Sequence, residues 1–144
     1  LLKFMARNFM TSSDNVLEGH RWWTLLTASF SHSNLIHFGV NMMVLWSFGP
    51  VMAGLLGTSR FLTLYLTSGL TASISSIAYY RWLDTQRSWM EPPRAVASQG
   101  ASGALLGVAT VFTLLFPTSK FLIFFVLPVP AWLALLGVAG NDLY

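Results

Sequence analysis

The sequence predicts an all-α membrane protein, a polytopic helical bundle, and three observations carry that prediction. Charged residues make up only 9% of the 144 residues, whereas a soluble domain needs about a quarter to wet its surface. Mean hydropathy is +0.60. The apolar residues are also gathered into four long runs without Lys, Arg, Asp or Glu. A membrane-crossing helix takes about 20 apolar residues, so the expected surroundings are a lipid bilayer and the expected unit is a single domain over 1–144.

The elements follow in order. Residues 10–34 mix Asp14, Glu18, His20 and Arg21 with Trp22, Trp23, Leu25, Leu26 and Phe30. Aromatic rings beside charges suit the membrane–water boundary, which makes this stretch an interfacial first loop. The first span is expected over about 35–53 and the second over 61–80, between Arg60 and Arg81. The third, 101–116, stops at Pro117. At about 1.5 Å per residue it reaches only ~24 Å across a core of ~30 Å. With Phe116 at one interface, Ser102 then lies below the other, inside the membrane. The fourth span, 121–140, contains Pro128 and Pro130, which bend or break a helix and are tolerated where neighbours satisfy the freed carbonyls. The connections 54–60 and 117–120 are short. The 81–99 connection is long and polar, with a Pro92-Pro93 pair, and reads as a solvated connector.

Charge and cysteine content exclude several functions. The net charge of +3 comes from Lys and Arg scattered among the connections, so there is no basic stripe for nucleic acid. Four spans put Lys3, Arg7, Arg21, Arg81, Arg87 and Arg94 on one side and Arg60 and Lys120 on the other. The positive-inside rule places the richer side in the cytoplasm or its equivalent. The absence of cysteine removes disulfides, thiolate catalysis and cysteine-type zinc sites.

Polar groups inside a bilayer are costly and point to function. His37 and Asn41, spaced i and i+4, share one helix face, where both can donate hydrogen bonds. Two plainer readings are interhelical glue and a metal pair, the latter weak because His32 and His37 have no acidic partner on the span. In the third run Gly100-Ala101-Ser102-Gly103 opens a helix, and Ser102 taken alone reads as a helix N-cap or packing serine rather than a nucleophile. Gly103 and Gly107 form a GxxxG packing pair. The combination says more. A serine beside the free N–H groups of a helix start, with two side-chain donors on a neighbouring span, suits a nucleophile facing an oxyanion hole. Such chemistry also needs a general base.

Arg21 in HRWW, the segment FSHSNLIHFGVNMMVLWSFG (30–49) and GASGALLG (100–107) resemble, in order and spacing, the rhomboid family of intramembrane serine proteases. The wording is most similar to the mitochondrial, presenilin-associated rhomboid-like branch. The resemblance implies Ser102 as nucleophile, and its backbone N–H, His37 and Asn41 as the oxyanion hole. It implies His32, Arg21, Gly100 and Gly103 in support. It also implies single-span membrane proteins as substrates, no metal or organic cofactor, and a mitochondrial inner-membrane location. The family's base histidine follows the nucleophile, yet all three histidines here precede residue 38. The four spans match the second to fifth of the family's six. The expectation is a partial domain cut at both ends, inactive alone, with the base beyond Tyr144. Two competing readings are an inactive rhomboid-like membrane chaperone and, more distantly, a channel or transporter subunit with His37 and Asn41 lining its pore.

Overall fold

Asn34 starts the first long helix of the computed structural model, which describes residues 1–86, 97–123 and 127–130. Its Oδ1 accepts the His37 backbone N–H at 2.8 Å, the bond a helix N-terminus otherwise lacks. Helix α3, Leu35–Leu56, ends at Gly57, whose φ of 81° suits a residue without Cβ. After that single residue α4 runs over Thr58–Thr85. The expected 54–60 connection thus contracts to Gly57, and α4 overruns the expected 61–80 at both ends. Nothing between Arg81 and Thr85 breaks a helix. Both helices are long and apolar enough to cross a membrane.

Helix α5, Ser102–Leu115, has 14 residues, about 21 Å. It stops before Pro117, which disfavours helical backbone at the preceding residue. Its buried residues Ala104, Leu105, Val108, Ala109 and Phe112 recur at helical spacing and join Phe48 and Met52 of α3 and Tyr65 of α4 in the core. Small residues let α4 and α5 approach closely. A Cβ on Gly103 would lie 2.4 Å from the Ala72 Cβ, and one on Gly107 would lie 2.1 Å from the Ser68 Oγ. The outer faces of α3 and α4 expose Leu35, Ile36, Trp46, Leu55 and Leu62, suited to lipid.

Ahead of α3 lie the short helices α1 (Leu2–Phe9) and α2 (Thr24–Thr27), with a π turn at Asp14–Glu18 and a 3-10 turn at Ala28–Phe30. Asn15 organises this region. Its Nδ2 donates to the Ala6 and Met10 carbonyls, both at 2.7 Å, and its Oδ1 accepts from Arg21 Nη1 at 2.8 Å. Buried Thr11 donates to the Thr24 carbonyl at 2.6 Å. It also exchanges two backbone bonds of 2.8 Å with Ser98, tying the first loop to the segment that leads into Ser102.

The expected fourth span is corrected where it is described. Lys120–Ile123 (β1) pairs antiparallel with Leu127–Pro130 (β2), Lys120 opposite Pro130 and Ile123 opposite Leu127. Pro128 and Pro130 lack the N–H that a helix interior uses, and each pushes its predecessor toward extended backbone. Apart from this pair and the Thr11–Ser98 bridge, regular structure among the described residues is helical. Residues 131–140 of that span, and Arg87, Pro92, Pro93 and Arg94 of the connector, lie outside the described residues.

Candidate active site

The approach to α5 is set by Gly100. Its φ of +121° lies where L side chains are strained, and its N–H donates to the Ala28 carbonyl at 2.9 Å. A Cβ there would stand 2.6 Å from Cε1 and 2.7 Å from Nε2 of His37. Only glycine lets the chain pass so close to that imidazole. Two residues on, Ser102 is the first residue of α5, in the turn whose backbone N–H groups have no intrahelical acceptor.

A cavity of about 670 Å³ opens here, lined in part by His37, Gly100, Ser102 and Gly103. Four of the residues singled out in the sequence therefore share one space. α4 supplies much of the remaining wall through Ala72, Ser73, Ser76, Tyr79 and Tyr80, and the first loop adds Ser29. Sequence reasoning missed this wall. Its signal is the recurrence of Gly69, Ser73, Ser76 and Tyr80 three and four residues apart, one face of a helix.

The other candidates sit apart from the cavity wall. Asn41 is buried, and its Nδ2 donates to the His37 carbonyl at 2.8 Å on its own helix. His32 packs edge-on to His37, ring centroids 5.2 Å apart, and to Phe38 at 5.3 Å. Its Nε2 is buried with no hydrogen-bond partner among the described residues. Burial, with the neighbouring His37 second, holds its pKa below the usual histidine value. A neutral ring therefore backs His37. Arg21 shapes the first loop through Asn15, and its backbone N–H donates to the Asn15 carbonyl at 2.8 Å. Among the described residues no three His, Asp or Glu side chains converge as a metal site would require.

The arrangement can present a serine hydroxyl, helix-start N–H groups and an imidazole edge to one bound carbonyl. Nucleophilic attack with charge stabilisation is the chemistry those groups suit.

The chain matches the Rhomboid domain over residues 19–142. It is 43% identical over 121 residues to Rhomboid protein 1, mitochondrial, of Saccharomyces cerevisiae, covering 82% of this chain and 33% of that protein. It is 31% identical over 99 residues to Rhomboid protease GluP of Bacillus subtilis, covering 69% of this chain and 17% of that protein. It is 32% identical over 118 residues to Presenilin-associated rhomboid-like protein A, mitochondrial, of Danio rerio, covering 82% of this chain and 28% of that protein. The chain thus spans a third or less of each of these three relatives. No solved structure matches it. The family match covers most of the chain, and two of its helices are long and apolar enough to cross a bilayer; this chain belongs to the rhomboid family of integral membrane proteins.

Proposed function

We propose that the protein is an intramembrane serine endopeptidase in which Ser102 is the nucleophile. The Ser102 backbone N–H, His37 and Asn41 form the oxyanion-binding side, with His32, Arg21, Gly100 and Gly103 in support. The observation that carries this reading is the single cavity shared by His37 and Ser102 at the start of a helix too short to cross the membrane. A substrate helix unwinds and offers a peptide carbonyl to the cavity. Ser102 Oγ attacks the carbonyl carbon while a general base takes the hydroxyl proton. That proton passes to the leaving amine as the C–N bond breaks, and water then hydrolyses the acyl-enzyme. Single-span membrane proteins are the proposed substrates. The names of the yeast and zebrafish relatives support a mitochondrial location, and within it the inner membrane is the proposed one. Asn41 reaches the oxyanion in this scheme by turning one N–H away from the His37 carbonyl.

The test, made on the whole protein, is covalent labelling with a serine-directed fluorophosphonate, alongside cleavage of a reconstituted single-span substrate. Labelling and cleavage that both vanish in Ser102→Ala establish the protease. Tight substrate-helix binding that Ser102→Ala leaves intact, without labelling or cleavage in the wild type, would move the protein to the chaperone reading.

A further inference from the structure

The start of α3 holds a hydrogen-bond chain that no motif spacing singled out. Asn34 Oδ1 accepts the His37 backbone N–H at 2.8 Å. A backbone N–H can only donate, so the Asn34 amide orientation is fixed and its Nδ2 is the end that faces Ser33. That nitrogen donates to Ser33 Oγ at 3.2 Å, and Ser33 Oγ lies 3.1 Å from His37 Nδ1. With Asn34 donating into one of its lone pairs, the Ser33 hydroxyl keeps one proton to pass on. Among the described residues Nδ1 is the acceptor beside it. Hydrogen bonds running head to tail in this way strengthen one another. A neutral imidazole that accepts at Nδ1 carries its proton on Nε2. Nε2 is the nitrogen turned toward Gly100, where a Cβ would stand only 2.7 Å away.

We propose that Ser33, itself ordered by Asn34, is a positioning residue that fixes His37 in the Nε2–H tautomer. His37 then presents a donor rather than a lone pair to the space it shares with Ser102. The opposite tautomer would set a lone pair against a developing oxyanion and repel it. The functional meaning rests on the protease reading, whereas the tautomer is measurable without turnover.

The experiment is nitrogen NMR of the protein labelled at histidine in lipid nanodiscs, at a pH where the imidazoles are neutral. The His37 signals are assigned by their loss in His37→Gln. The wild type is expected to show a pyridine-type Nδ1 and a pyrrole-type Nε2. Ser33→Ala keeps the Asn34 cap and is expected to mix the two tautomers. Ser33→Thr, which keeps the hydroxyl, is expected to restore the single one. A wild type protonated at Nδ1, or a tautomer population unchanged in Ser33→Ala, overturns the proposal. A fixed Nε2–H ring in a protein that no fluorophosphonate labels supports the tautomer assignment and sinks the protease reading instead.

Discussion

Helix α4 carries hydroxyls on two faces and treats them differently. On the exposed face Thr63, Thr67 and Thr71 each donate to the carbonyl four residues back, at 2.9, 2.7 and 2.8 Å. On the cavity face the Ser73 and Ser76 hydroxyls make no hydrogen bond among the described residues, and neither does the Ser102 hydroxyl on the same wall. An unsatisfied hydroxyl in an apolar medium costs a few kcal/mol. Hydroxyls facing lipid therefore close on their own helix, while open ones belong where water or a polypeptide can partner them. In the protease reading, the open hydroxyls on the wall between α4 and the start of α5 are the ones that meet water or substrate.

The largest effect should fall on the open hydroxyl at the helix start. Ser102→Ala is expected to lower fluorophosphonate labelling and cleavage by at least about 10³-fold, with stability changed by no more than about 0.5 kcal/mol. Thermal unfolding beside the activity assay separates the two. A large loss of stability would mean that the hydroxyl is structural after all, and the contrast between the faces would fail. His37→Ala should cost about 10²-fold if the ring donates to the oxyanion.

Next in size is the closed seam between the same two helices. Gly107→Ala puts a Cβ 2.1 Å from Oγ and 2.4 Å from Cβ of Ser68. Such overpacking costs about 1–3 kcal/mol. Ser68→Gly removes both obstructing atoms, so the double variant should recover much of the loss. The check is a double-mutant cycle by chemical denaturation in detergent. Purely additive effects would show that α4 and α5 are less tightly apposed than the glycines indicate.

These regions were unequally legible in the sequence. His32, His37, Asn41, Ser102 and the glycines around Ser102 sit in two short contiguous motifs, so local spacing placed them near a helix start. Pro117 set the shortness of α5. The serine wall of α4 was not visible, because Gly69, Ala72, Ser73 and Ser76 lie in a run that reads as ordinary small-residue packing. Which face meets the cavity is decided only by how α5 seats against it. Asn41 shows a different limit. Spacing put it on the face of His37, but a rotamer folds its amide onto the His37 carbonyl. At 121–130 apolar length suggested a helix, and the two prolines decided otherwise through the N–H groups they lack. The one-residue link at Gly57 depends on a positive φ that no hydropathy window encodes.

A smaller effect concerns His32, whose pKa is held low chiefly by burial. A histidine with a depressed folded pKa takes up a proton on unfolding. Its neutral form therefore contributes full stability above the unfolded value of 6.5, lost as pH falls below that value toward the folded pKa. The melting temperature should drop over the acid side of neutrality, and His32→Gln should flatten that part of the profile. An identical profile in the variant would assign the drop to other groups.

The smallest effect belongs to the lipid-facing stripe. Thr67→Val keeps the shape of the side chain while removing a hydroxyl already satisfied by the Thr63 carbonyl. The lost bond is worth about 0.5–1.5 kcal/mol net. Placing a methyl rather than a hydroxyl against hydrocarbon offsets most of it, so stability should stay within about 0.5 kcal/mol. A loss above about 1 kcal/mol would mean that Thr67 faces polypeptide or water instead of lipid. The outer face of α4 would then be a second polar surface, and the assignment of a single wet wall beside Ser102 would no longer hold.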